Sequence, residues 1–253
     1  MCRSPPPPTV PRRRTHPEET RMEALYSPLR LVHIACGAVA FATLWIPLVA
    51  KKGTPLHRKV GMAYVIAMLC SAATGMALSS IQVVRNWPAP SPMSFFLAYI
   101  GLISANAAVV GVRVLRFKQR TEAHRHPGDL ALTGGTVLAS LAIAGLGLHT
   151  GAMLLVAFAP VGLITGMGQL LYWVRPPRER MHWWYQHMGA MFGSGIATLT
   201  AFLVLNSRHF GGNATAIVFW LAPTLIGLPG ARLWERAYRR RFAGKAVGLP
   251  AQG

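Results

Sequence analysis

Long apolar segments separated by short polar ones form the main pattern along this chain. From residue 31 onward each apolar segment has about the 17 to 25 residues that a helix needs to cross a bilayer. The segments are Leu31–Ala50, Val60–Gln82, Met93–Leu115, Leu130–Leu148, Ala152–Val174, Trp183–Leu205 and Ala214–Leu233. The pattern therefore predicts an all-α fold, a polytopic transmembrane helical bundle of about seven spans.

The predicted spans leave a tail at each end of the chain. Residues 1–24 are rich in proline and arginine and have no periodic apolar pattern, so we expect a disordered tail. Met22 is an alternative start of translation. We expect residues 25–236 to form one seven-helix membrane domain and residues 237–253 a basic C-terminal tail.

Composition supports the membrane class. Hydrophobic residues make up 52% of the chain and charged residues 13%, whereas a soluble domain has about 25% charged residues. The net charge of +19 would suit a nucleic-acid-binding protein. However, the basic residues lie between the apolar segments, where they determine membrane topology. We therefore expect a lipid bilayer as partner and no nucleic acid.

The distribution of basic residues predicts the orientation. Most of the 26 lysines and arginines follow the first, third, fifth and seventh spans. The positive-inside rule then places the N-terminus outside and the C-terminus in the cytoplasm, in the inner membrane of a bacterium. Four tryptophans at the same end are expected to form an aromatic belt, namely Trp173, Trp183, Trp184 and Trp234.

Small and polar residues inside the spans suggest how the helices pack. Gly162-x-x-x-Gly166 and Gly189-x-x-x-Gly193 have the spacing that lets helix backbones approach closely in lipid. Close packing within the bundle is the simplest interpretation, and a dimer face or a cofactor slot are the alternatives. For Asn106 and Gln169 we expect interhelical hydrogen bonding rather than substrate contact.

None of the acidic residues lies within a predicted span. The 7 acids are assigned to tails or loops, namely Glu18, Glu19, Glu23, Glu122, Asp129, Glu179 and Glu235. This distribution disfavours a carboxylate proton relay and the usual ion-coupled transporter. No hydrolase or phosphate-binding motif is present either.

Histidine is the remaining residue type that could carry a chemical function. The histidines fall into groups according to their expected depth in the membrane. His33, His149 and His209 fall near the outer face, and His57, His182 and His187 near the inner face. Imidazoles at both faces are what a two-haem electron-transfer bundle needs.

The candidate ligands of haem b are His33, His57, His149 and His187. Among these, His57 and His187 are expected to hold one iron if the second and sixth helices are neighbours. A quinone or another small redox partner would then exchange electrons with the protein. The alternatives are a non-redox transporter or small-molecule-binding membrane protein, a structural or assembly partner, and histidines with purely structural roles.

Two sequence elements resemble a known family. They are His33-x-x-x-Gly37 followed by Lys52-Gly53-x-Pro55-Leu56-His57-Arg58-x-x-Gly61-x-x-Tyr64, and Trp184-x-x-His187-x-x-x-Met191. Both look like stretches of a bacterial family of predicted multi-pass membrane proteins of unknown function, over roughly residues 31–205. That resemblance implies a membrane protein and no particular activity. In its histidine distribution alone, the chain is also similar to the ascorbate-linked di-haem b-type cytochromes.

Overall fold

The fold was analysed in a computed structural model, which describes residues 17–211 and 217–247, with side chains for 24–211 and 217–240. Apart from two short 3-10 turns, the regular structure of these residues is α-helical. The helices are α1 Pro17–Val49, α2 Pro55–Arg85, α3 Pro92–Arg113, α4 Pro127–Thr150, α5 Met153–Val174, α6 His182–Leu205 and α7 Ile217–Val247. The predicted all-α bundle is confirmed.

Seven helices of the described chain are long and apolar enough to cross a membrane, as predicted. Two helices extend beyond the predicted boundaries. α1 begins at Pro17, inside the expected N-terminal tail, and α7 continues to Val247, past the expected domain edge at residue 236. Glutamate, alanine, leucine and arginine all favour helix. A helix can therefore continue into a segment that is too polar to span the bilayer. The rest of the expected tails, residues 1–16 and 248–253, lies outside the described residues.

Local sequence signals start and stop the helices near the histidines. Thr54 caps α2 by accepting a hydrogen bond from the backbone N–H of His57, and Pro55 occupies the first turn. Proline suits that position because its missing N–H would have no helical partner there. These two residues place His57 in the first turn of α2.

Helix α3 lies at the centre of the bundle. It packs against α2, α4 and α6 and more sparsely against α5, while α1 pairs with α2, α4 with α5, and α6 with α7. Within the described residues α5 has no extended contact with α6 or α7. The bundle is therefore open between α5 on one side and α6 and α7 on the other.

The two ends of the bundle differ in charge and packing. We call the end formed by residues 50–54, 114–126 and 175–181 the basic end. Near the opposite end, Phe96 of α3 packs against Phe158 of α5 and Trp220 of α7, with ring centroids 5.2 and 4.9 Å away. This cluster joins α5 to α7 at that end only.

Two acids lie within spanning helices, where the sequence predicted none. Asp129 is in the first turn of α4 and only 3% exposed, so the assignment of all acids to tails or loops was wrong for it. Arg113 donates to its two oxygens at 2.5 and 2.6 Å, and His124 Nε2 lies 2.8 Å away. The short connection after α3 folds back against the start of α4, which buries the carboxylate between its partners. Glu235 likewise lies within a spanning helix, α7.

Trp173 also differs from its prediction. Its side chain is fully buried against Val110 and Val114 of the α3 end, and not in an interfacial belt. The segment after α3 covers it: Arg120 donates to the carbonyl oxygens of Tyr172 and Trp173. Tryptophan here stabilises the contact between α3 and α5.

Candidate histidine site and cleft

The structure brings two of the predicted histidines together. His57 in the first turn of α2 and His187 in the second turn of α6 are both half-buried near the basic end. Their ring centroids lie 6.5 Å apart with the ring planes at 74°. Helices α2 and α6 are thus neighbours at this point, as the predicted pairing of His57 with His187 required.

A main-chain carbonyl holds each ring of this pair through Nδ1. His57 Nδ1 lies 3.1 Å from the carbonyl oxygen of Pro47, and His187 Nδ1 lies 2.6 Å from that of Gly111. A carbonyl only accepts, so each Nδ1 carries a hydrogen and donates it. In a neutral ring, the lone pair then belongs to Nε2. A histidine held in this way has the tautomer and orientation typical of metal ligands.

The position of the acceptors explains why the rings settle there. Pro47 and Gly111 lie in the last turns of α1 and α3, where carbonyls lack an intrahelical donor. Lys52 also reaches back, and its Nζ donates to the carbonyls of Pro47 and Leu48 at 2.7 and 2.8 Å. The same contacts stabilise the helix ends whether or not the pair binds anything.

A buried hydroxyl cluster joins α2 to α6 further inside the bundle. Tyr64 Oη lies 2.7 Å from Ser194 Oγ and 3.1 Å from Thr198 Oγ1, and all three residues are buried. Sequence analysis missed this contact. A signal was present, since Tyr64 and Ser194 each lie seven residues after one histidine of the pair.

Positive charge surrounds the pair. Lys52 and Lys118 are close enough to His187 to interact with it electrostatically. Each ammonium also lies over an indole ring, Lys52 at 5.6 Å from Trp234 and Lys118 at 4.7 Å from Trp183. Burial lowers the pKa of Lys52 below the ordinary lysine value. This end of the bundle therefore favours a ligand with anionic groups.

The histidines predicted near the other face are not brought together. His33 of α1 is half-buried, and its Nδ1 lies 2.8 Å from the carbonyl of Ser71 on α2, with Gly75 leaving room for the ring. His149 is exposed at the end of α4, and His209 is exposed in a 3-10 turn after α6. Among the described residues no second histidine ring contacts His33.

His182 lies near the basic end but has a different neighbour from the histidine pair. It begins α6 and faces Tyr172, whose Oη lies 2.9 Å from its Nδ1, and it is not part of the pair with His187. Its Nε2 is buried, and no group of the described residues lies in full hydrogen-bonding geometry to it.

A large cleft runs along the opening between α5 and the α6–α7 pair. Its volume is about 1680 Å³. Within the described residues, every helix except α4 contributes to its walls. A Cβ built at Gly168, Gly189 or Gly193 would meet no atom within 4 Å. The cleft therefore has smooth walls on α5 and α6.

The two glycine pairs have different environments. Gly162 packs against Tyr99 and Ser140, and Gly166 against Thr136, so close packing is confirmed for α5. The same interpretation was wrong for Gly189 and Gly193, which border the cleft because no described helix covers that face of α6. The expected bond between spans is confirmed elsewhere, since Asn106 Nδ2 donates to Gln169 Oε1.

Fold and composition together define a multi-pass integral membrane protein. Residues 30–127 match the model of a family described as "Predicted membrane protein (DUF2306)". This match confirms the resemblance seen in the first of the two sequence elements, which runs from His33 to Tyr64. The motif around His187 lies outside the matched range. No curated protein and no solved structure matches the chain. The description of that family gives no function. The histidine pair and the cleft are therefore the features that bear on activity.

Proposed function

We propose that this protein binds haem b between His57 and His187 and acts as an electron-transfer component of the membrane. The observation that carries the proposal is the pair of imidazoles, 6.5 Å apart, with both Nδ1 atoms at carbonyls. His57 and His187 would hold the haem iron through Nε2, because the contact with a carbonyl leaves the lone pair of a neutral ring on that nitrogen.

The small number of protein ligands favours haem over a bare ion. No group of three or more His, Cys, Asp or Glu that could hold a metal occurs in the described part of the chain. A zinc site uses three or four protein ligands, whereas haem iron needs only axial ligands. Two histidines are therefore sufficient for haem and too few for a typical zinc centre.

The residues around the pair have distinct roles in this proposal. The carbonyls of Pro47 and Gly111 orient the two rings, and the Tyr64–Ser194 contact holds α2 and α6 in register. Lys52 and Lys118, which lie close enough to His187 to interact with it electrostatically, would supply positive charge for the haem carboxylates. The haem, when bound, supplies one-electron chemistry.

In this arrangement one haem lies near the basic end and exchanges electrons with a partner in the membrane. A quinone or another small redox molecule in the bilayer is the partner we propose. Transfer across the whole bilayer would need a second centre near the other face, where His33 is the candidate with a Nδ1–carbonyl contact. His149 has no corresponding support because its side chain is exposed on α4.

A reduced-minus-oxidised visible spectrum tests the proposal. The full chain purified from haem-replete cells should show the bands of a b-type haem. His57→Ala and His187→Ala should each remove or convert the same component, while His182→Ala and His149→Ala should retain it. Adding imidazole to His57→Gly should restore part of the signal. A featureless wild-type spectrum would overturn the proposal.

The cleft favours a second candidate function, a non-redox transporter or small-molecule-binding membrane protein. Its volume of about 1680 Å³ exceeds that of typical ligand pockets. Under this candidate, the histidine pair only stabilises the helix ends. A featureless spectrum together with ligand-dependent thermal stabilisation would favour it over haem binding.

A further inference from the structure

We propose that the cleft binds one anionic phospholipid, with its phosphate at the basic end and an acyl chain along α5 and α6. This inference goes beyond the haem proposal because it uses neither His57 nor His187. It names a ligand class for the cleft.

The shape of the cleft suits a chain that enters from the basic end. Phe158 and Trp220 bring α5 and α7 together near the opposite end, with ring centroids 6.2 Å apart. Toward the basic end, α5 lines one side of the cleft and the packed pair α6 and α7 lines the other, and α5 has no extended contact with that pair within the described residues. At Gly168, Gly189 and Gly193 no side chain projects into the cleft, and the space beside each is open. An acyl chain fits such a slot.

The mouth of the cleft carries more positive than negative charge. The charged residues that line it there are Arg120, Arg175, Arg178, Glu179, Arg232, Glu235 and Arg239. Arg239 contacts both acids, Glu179 at 2.6 Å and Glu235 at 2.9 Å. Arg175, Arg178 and Arg232 are exposed and have no acidic partner in the described regions. An anion is therefore the complementary group.

The combination of slot and charge distinguishes an anionic lipid from simpler ligands. A free phosphate would use the arginines and leave the apolar slot unused, and a zwitterionic lipid would gain little net attraction from them. Arg175 directly follows Val174, the last residue of the spanning helix α5, and the end of a span is where lipid headgroups are expected. Each basic residue near an anionic membrane surface contributes roughly a fivefold gain in affinity. Both features are used only by a lipid with net negative charge.

Lipid binding to the purified full chain tests this inference. Dioleoyl-phosphatidylglycerol and dioleoyl-phosphatidylcholine are titrated, and binding is followed by native mass spectrometry and by thermal stabilisation. The expected result is a clear preference for the glycerol lipid. Arg175→Gln with Arg178→Gln should weaken its binding about 30-fold. Arg58→Gln with Arg125→Gln, two exposed arginines at the same end but outside the cleft, is the matched control.

A second pair of variants tests the slot. Gly193→Leu places a side chain in the acyl slot and should weaken binding of the glycerol lipid, whereas Gly145→Leu, at an equally open glycine on α4 outside the cleft, should bind it as wild type does. The inference is wrong if both lipids bind equally, if glycerol phosphate alone gives the same stabilisation, or if Gly193→Leu binds as wild type. The haem spectrum is recorded on the same samples, so failure of either proposal is seen separately.

Discussion

At the residue scale, hydrogen bonds to main-chain carbonyls determine what the histidines can do. His33, His57 and His187 each direct Nδ1 to a carbonyl of a different helix. The sequence predicted the depth of these residues from their place in the apolar segments. It did not predict the acceptors, because the carbonyls of Ser71, Pro47 and Gly111 belong to other helices. Tautomer and ligand atom are thus consequences of the tertiary structure.

The hydroxyl cluster under the histidine pair should contribute measurably to stability. Tyr64→Phe removes the contacts with Ser194 and Thr198 but keeps the ring, so we expect a loss of about 1 kcal/mol in unfolding free energy. Unfolding in detergent measures it. In a double-mutant cycle with Ser194→Ala, the double variant should lose less than the sum of the two single losses. Strict additivity would mean that this contact contributes nothing.

The buried carboxylate of Asp129 should be more sensitive. Asp129→Asn leaves the Arg113 guanidinium beside a neutral group, and loss of one partner of a buried pair costs about 3 kcal/mol. Thermal unfolding of the purified protein measures the effect. Glu122→Gln, an exposed acid in the same connection, is the control and should unfold as wild type. Equal stability of both variants would contradict a structural role for the Asp129 pair.

At the scale of helices, length and hydropathy predicted the number and place of the spans, since both follow from bilayer thickness. They did not predict where α1 begins or α7 ends, because helix continues into polar residues. The glycine pairs of α5 and α6 have the same spacing and different surroundings. Spacing indicates that a face is flat, and only the arrangement of helices shows whether a neighbour covers it.

Alanine substitution should separate the two kinds of glycine on one helix. A Cβ at Gly162 would overlap Tyr99 Oη, which is buried and hydrogen-bonded to Ser140 at 2.9 Å. Gly162→Ala should therefore lower stability by about 1–3 kcal/mol. Gly168→Ala, with no atom within 4 Å of its Cβ, should be neutral or more stable. Comparing their melting temperatures tests the packing of α5, and equal values would contradict it.

At the scale of the whole molecule, the arrangement of helices selects which histidines meet. Depth along the chain grouped His57 and His187 with His182, and His33 and His149 with His209, yet among these six only the rings of His57 and His187 contact each other. Depth does not specify which helices are neighbours, and contacts between α2 and α6 join residues about 130 positions apart. A single sequence carries little information on such pairs. The cleft was missed for the same reason, since it lies between helices that do not pack together.

The orientation of the bundle in the membrane is the last prediction, and it follows from the loop charges. The basic end should face the cytoplasm, because the connections there carry most of the lysines and arginines. A fluorescent protein fused after Gly253 should fold and fluoresce, and a periplasmic phosphatase at that position should stay inactive. The phosphatase inserted between α2 and α3, after Trp87, should instead be active. The opposite pattern would place the histidine pair and the arginine mouth of the cleft on the outer side, where the proposed haem would exchange electrons with the periplasm and the lipid would come from the outer leaflet.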